Sequence, residues 1–141
     1  MFIRLTDKIA VAPQISPEDV ARAKAEGFTF IINNRPDDEA PGQPAGADIA
    51  DAATAAGLGY AAIPVDHTGL TVEKAMAMAA ALQGAPGPVL AFCRSGTRST
   101  NLWALAEAMN GGDPEVLVGA AANGGYDISS LLPALQKLSQ R

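Results

Sequence analysis

Val89-Leu90-Ala91-Phe92 running into Cys93-Arg94-Ser95-Gly96-Thr97-Arg98-Ser99 is the stretch on which the reading of this chain turns. The four apolar residues have the length and composition of a buried strand. Gly96 sits inside the polar loop that follows, and Thr100 to Met109 has the composition of a helix that begins at once. A strand, a tight loop and a helix in that order is the repeating unit of a parallel sheet covered by helices. Such a loop aims successive backbone N–H groups inward, and the helix end adds roughly half a positive charge, so an anion is favoured at its centre. The only cysteine of the chain stands at the entrance.

Outward from that loop the same alternation continues, and the class is α/β: a largely parallel sheet covered by helices. Phe2 to Leu5 and Ile9 to Ala12 read as two short edge strands forming a hairpin, stopped by Pro13. Ser16 followed by Pro17, Glu18 and Asp19 has the pattern of an N-cap, a first-turn proline and acids at the positive helix end, and Gly27 closes that helix. Phe28 to Ile32 is a strand, with the polar Asn33 to Glu39 loop at its C-terminal end, and residues 40–46 are loop by composition. Asp48 to Ala56 reads as a helix, Tyr60 to Val65 as a strand interrupted near its end by Pro64, and Thr71 to Gln83 as a capped helix with Met76, Met78 and Leu82 in the core. Helices over Thr100 to Met109, from Asp113, and over Ile128 to Gln140 complete the chain, with Pro133 in the first turn of the last.

With 141 residues, one hydrophobic core and one domain over 1–141 are expected. At 48% hydrophobic and 18% charged residues the chain is too apolar for a disordered tail, and no apolar run approaches the roughly 20 residues that span a bilayer. Ten Lys and Arg against fifteen Asp and Glu give a net charge of -5, with no basic stripe, so neither nucleic acid nor membrane is an expected partner. One Cys and one His supply no disulfide, no four-ligand metal site and no serine-type triad, and no cofactor is called for. Met1 to Ala12 lacks the long apolar stretch of a secretory signal, which places the chain in the cytoplasm.

A lone cysteine is commonly just a small buried hydrophobe. That reading leaves unexplained an adjoining glycine, two arginines and two hydroxyl residues in a loop aimed at a helix N-terminus. A positive field of this kind favours thiolate over thiol, which makes Cys93 a candidate nucleophile. Arg98 and Arg94 would reinforce the field, Arg94 pointing either inward or to solvent. The N–H groups of Arg94, Ser95, Gly96, Thr97 and Ser99 would hold an anion, Gly96 permits positive φ or close approach, and Ser99 is placed to cap the helix while donating to the cysteine sulfur.

On these residues the sequence resembles the cysteine-dependent phosphatases and rhodaneses, and within them most closely the beta-lactamase-hydrolase-like phosphatase domain family, a resemblance that implies a dual-specificity-phosphatase-like fold with a central, mostly parallel sheet of about four strands flanked by helices. The resemblance is carried by Phe30 to Glu39, by Tyr60 to Val65, and by Cys93 to Ser99 with Leu102-Trp103-Ala104, and covers roughly residues 1–110. It departs from the phosphatase loop HCxxGxxR in two ways. Phe92, not His, precedes the cysteine, and four residues rather than five separate Cys93 from Arg98. The shorter spacing resembles a rhodanese loop, and fusion of some family members to persulfide-metabolising domains again implies sulfur chemistry.

Sulfur transfer therefore ranks first in this reading: the Cys93 thiolate takes sulfane sulfur from thiosulfate or a persulfide and passes it to a thiol acceptor. Phosphate ester hydrolysis through a phosphocysteine is the alternative and needs an acid for the leaving alcohol. Asp66, where the resemblance places the phosphatase acid, is the candidate, with its neighbour His67 second. Arg35, with Asp37 and Asp38, would line the opposite rim, and Trp103 is expected to pack. A non-enzymatic anion or oxidant sensor acting through Cys93 is the remaining class.

Overall fold

The computed structural model describes residues 1–140. Five strands form one sheet, β1 (Ile3–Thr6), β2 (Ile9–Ala12), β3 (Phe30–Asn33), β4 (Gly59–Ala62) and β5 (Val89–Phe92), in the order β1-β2-β5-β3-β4. The expected four parallel strands are β2, β5, β3 and β4, and β1 adds an antiparallel edge through the hairpin with β2. Strand β3 starts two residues later than its composition indicates, because Phe28 is tied back to Ala23 by its N–H and packs below α1 (Pro17–Ala25). β4 ends earlier than expected, at Ala62; Pro64 has no N–H to give, while the Ile63 and Val65 N–H groups still donate to the Asn33 and Asn34 carbonyls at 2.9 Å.

Period-two alternation sorts the strand residues onto two cores. Ile9, Val11, Phe30, Ile32, Val89 and Ala91 face one side, where α3 (Val72–Gly84), α4 (Thr97–Met109), α5 (Pro114–Asn123) and α6 (Leu132–Ser139) pack. Ala10, Ala12, Ile31, Leu90 and Phe92 face α1 and α2 (Gly46–Ala55) on the other. Four residues in a row are buried in β5, and both faces being covered is the reason.

α1 begins with the cap its sequence announces: Ser16 Oγ accepts from the Asp19 N–H at 3.2 Å while the Asp19 carboxylate accepts from the Ser16 N–H at 2.9 Å. α4 begins at Thr97, three residues earlier than its composition indicates, because Gly96 itself takes the N-cap place with φ of 90°. Trp103 is buried, as expected, and so is Met78, whereas Met76 is 59% exposed on the outer face of α3. A 3-10 turn over Ser129–Leu131 leads into α6, with Pro133 in its first turn. No helix among the described residues is long and apolar enough to cross a membrane.

β5 lies between β2 and β3, so the crossovers on its two sides leave in opposite directions and the C-terminal ends of β2, β3 and β5 frame a crevice. The loop after β5 opens into it. At the N-terminal end of the strands, away from the crevice, the pairing of β4 with β3 depends on Gly59, whose added Cβ would drive into the Phe30 ring. Gly59→Ala is expected to destabilise the fold by about 1–3 kcal/mol, read as a lowered urea midpoint; an unchanged midpoint would show that the Phe30 ring yields freely.

Candidate active site

Cys93 follows β5 and is fully buried at the floor of its loop. Its Sγ accepts a hydrogen bond from the Gly96 N–H at 3.1 Å. α4 starts on the next residue with no side-chain cap from Gly96, so the N–H groups of its first turn have no partner within the helix, and that of Thr97 donates to Ser95 Oγ at 3.5 Å. The nucleophile is thus placed at a helix N-terminus, the arrangement that favours negative charge on sulfur or on a bound anion. Ser95 and Thr97 join hydroxyls at 3.0 Å on the exposed side of the loop.

Arg98 reaches across the crevice. Its Nη1 donates to Glu39 Oε2 at 2.7 Å and to the Val65 carbonyl at 2.9 Å, and its Nη2 donates to Glu39 Oε1 at 2.8 Å. The pairing with Glu39 raises the Arg98 pKa, opposed by desolvation, with the Cys93 charge adding a smaller upward push. Glu39 is held from its other side by Arg35, whose Nε donates to Oε1 at 2.9 Å. Its carboxyl is lowered from 4.5 to about 2, mainly by the Arg98 hydrogen bonds, with burial opposing and Arg35 assisting. Arg35 itself is buried and also donates to Gln14 Oε1 at 3.1 Å, so it positions Glu39 while lining, with Asp37, the cavity beside Asp66.

The geometry corrects one further expectation and selects one of the two directions left open for Arg94. Ser99 neither caps α4 nor meets the sulfur: it is buried, and its Oγ donates to Asn34 Oδ1 at 2.8 Å. The backbone N–H of Gly96 makes the sulfur contact in its place. The Arg94 side chain is exposed, and it is the Arg94 carbonyl that serves the loop, accepting from the Gln14 N–H at 3.3 Å.

Asp66 and His67 are exposed, in the loop between β4 and α3. Asp66 Oδ1 accepts from the Thr68 hydroxyl at 2.5 Å, the Thr68 N–H at 2.9 Å and Lys74 Nζ at 3.1 Å. These contacts, Thr68 foremost, hold the carboxyl far below the usual carboxylate range. Asp66 lines, with Arg35, Asp37 and Tyr60, a cavity of about 380 Å³ at the C-terminal edge of the sheet. A larger cavity of about 500 Å³, lined by Lys8, Val89 and Trp103 among others, lies at the opposite edge, away from the cysteine.

Three residues of the site were not singled out by their sequence context. Asn34 bonds through every polar group of its side chain, Glu39 partners both arginines, and Tyr126 donates from Oη to the Ser95 carbonyl at 2.9 Å. The signal for Glu39 was present in its spacing of four from Arg35; Asn34 and Tyr126 carry none that is local.

The family described as beta-lactamase hydrolase-like protein, phosphatase-like domain, matches residues 2–110. The chain belongs to that family. A beta-lactamase hydrolase-like protein of Agrobacterium fabrum is 39% identical over 109 residues, which are 77% of this chain and 25% of that protein. One of Xylella fastidiosa is 34% identical over 110 residues, 78% of this chain and 26% of the relative. The chain therefore spans about a quarter of the length of the curated relatives it matches. Among solved structures, a candidate phosphatase of Neisseria meningitidis superposes with a TM-score of 0.81 at 28% identity, covering 96% of both chains. PTPMT1 superposes with a TM-score of 0.77 at 17% identity, covering 99% of this chain and 94% of its own, a likeness of fold.

These likenesses are to phosphatases, and they reverse the ranking that the Cys-to-Arg spacing gave. The spacing does not by itself measure the size of the loop. In this phosphatase-like domain the glycine keeps the third place after the cysteine, as in HCxxGxxR, and the helix starts directly after it. What has moved is the arginine, carried on the second residue of α4, while the sixth place holds Ser99 turned into the sheet. Thiosulfate, persulfide and a thiol acceptor find no support among the relatives.

The Glu39 carboxyl, lowered on folding, stabilises the fold fully above about pH 4.5, and that contribution is lost as pH falls toward 2. The urea midpoint of the wild type is expected to drop between about pH 5 and about pH 2 by more than that of Glu39→Gln. Equal drops in the two proteins would place the acid sensitivity elsewhere.

Proposed function

We propose that this domain is a cysteine-dependent phosphatase that hydrolyses phosphate monoesters through a phosphocysteine on Cys93. The observation that carries the reading is the Gly96 N–H donating to Sγ at 3.1 Å where α4 begins, in a family described as phosphatase-like. The Cys93 thiolate attacks phosphorus as the bond to the leaving oxygen breaks. The phosphoryl oxygens are received by the N–H groups of Gly96 and of the first turn of α4, donors already aimed where charge collects. Water then cleaves the sulfur–phosphorus bond, which releases phosphate and regenerates the thiolate.

Arg98 supplies a second positive group beside the sulfur, and Glu39 with Val65 holds its fork in place. The family's usual proton donor is a different matter here. With Asp66 held as a carboxylate by Thr68 and Lys74, the leaving oxygen departs without a proton from it, which favours esters whose leaving group is already a weak base, such as a phenolate. A free thiol nucleophile also requires a reducing compartment, in keeping with a cytoplasmic protein.

Hydrolysis of p-nitrophenyl phosphate is expected for the wild type and a loss of about 10³-fold or more for Cys93→Ser, with a phosphoryl group trapped on Cys93 in quenched samples read by intact mass. Asp66→Asn is expected to keep aryl phosphate turnover within about threefold, whereas loss of an acting general acid costs about 10²-fold or more. Undiminished hydrolysis by Cys93→Ser, or sulfur gained from thiosulfate in place of phosphate released, would overturn the proposal.

A further inference from the structure

Tyr126 lies beyond the residues that the family matches, in the turn after α5, and reaches back to the cysteine loop. Its place is fixed by its own chain. Gly125 takes φ of 94°, the Tyr126 N–H donates to the Ala121 carbonyl at 2.9 Å, and Ile128 is buried two residues on. The phenol stands against the Cα of Gly96: a Cβ there would lie 3.0 Å from Cζ and nearer still to the hydroxyl. Gly96 is thus required both by its φ of 90° and by the tyrosine that covers it.

The hydrogen-bonding atoms of one peptide decide the argument. The Ser95 carbonyl accepts from Tyr126 Oη at 2.9 Å, and the Gly96 N–H of that same peptide donates to Cys93 Sγ at 3.1 Å. In a trans peptide these two groups point in opposite directions, so fixing one fixes the other. If the peptide turned over, the Ser95 carbonyl oxygen would face the sulfur and oppose negative charge on it. A glycine at one end makes such a turn sterically cheap, so an outside restraint matters.

We propose that Tyr126 is a positioning residue of this site: by pinning the Ser95 carbonyl it keeps the Gly96 N–H aimed at Cys93 Sγ. Burial, and then the charge of Cys93, raises the Tyr126 pKa, so its hydroxyl stays a donor across the neutral range. The proposal rests on Cys93 as the nucleophile of the phosphatase reading, but its test needs no turnover.

Cys93 is the only cysteine, so alkylation by iodoacetamide reports on it alone. In Tyr126→Phe the alkylation rate at pH 7 is expected to fall about three- to tenfold, the worth of one hydrogen bond, and to come within about twofold of the wild type near pH 9.5, where an ordinary thiol is ionised. Equal rates in the two proteins at pH 7 would overturn the proposal. A fall of the same size at both pH values would overturn it in favour of a role in access. A rise at both, the mark of a loosened loop, would overturn it in favour of a merely structural role. The expected alkylation pattern in a protein that hydrolyses no phosphate ester would leave Tyr126 in place and remove the phosphatase reading instead.

Discussion

Asn34 holds together the three strands from which the site is built. It is fully buried, and its N–H donates to the Phe92 carbonyl at 2.8 Å, its Nδ2 to the Ile63 carbonyl at 2.9 Å, while its Oδ1 accepts from Ser99 and its carbonyl from the Val65 N–H at 2.9 Å. One residue, through its backbone and its side chain, therefore locks the end of β3 to the end of β5, to the segment after β4 and to the first turn of α4. No buried side-chain polar atom among the described residues lacks a partner, so this network is complete. Completeness matters because each group left unpaired in such a place costs about 1–3 kcal/mol. The cysteine, the arginine and the loop keep their spacing only while these strand ends stay in register.

The arginine and the carboxylate show a second constraint. A site that concentrates guanidinium, helix dipole and inward N–H groups accumulates positive charge, and in a folded protein that charge must be balanced when no ligand is there. Glu39 does so for both Arg35 and Arg98, at 2.7–2.9 Å. The bidentate geometry that grips a carboxylate is the same one that grips a phosphate. Glu39 thus holds the guanidinium of Arg98 in a place where it senses Cys93 and also competes for it.

Much of this was legible in the chain. Alternating apolar runs, the Ser16 cap and the glycine punctuation gave the α/β class and the parallel strands, and the Cys93 loop with its helix stood out by composition. Element ends were read less well where tertiary contacts set them: Phe28 packs under α1 instead of opening β3, and Gly96, not Thr100, begins the approach to α4. Side-chain direction was beyond reach. Ser99 has a residue type that suits either a cap or a core bond, and only the buried Asn34 facing it decides. Nor does the position of Asp66 announce that Thr68 and Lys74 fold back onto its carboxylate. Asn34 and Tyr126 act through partners 65 and 31 residues away, separations at which sequence pattern carries no information.

α4 is the most enclosed helix of the molecule: eight of its thirteen residues are buried, on faces turned both to the sheet and to the helices that follow. Leu102, Trp103 and Leu105 share one core with Leu117, Ala121 and Leu135 of α5 and α6. The stretch that the family matches in sequence ends at residue 110, before either of those helices, although the Neisseria meningitidis structure superposes over 96% of the chain. Cutting the chain there would leave an oily stripe along the very rod that supports the anion loop. The portable unit, the one that could be moved into another protein and still fold, is accordingly longer than the shared one, and any chain that borrows the shared part must bring its own cover for α4.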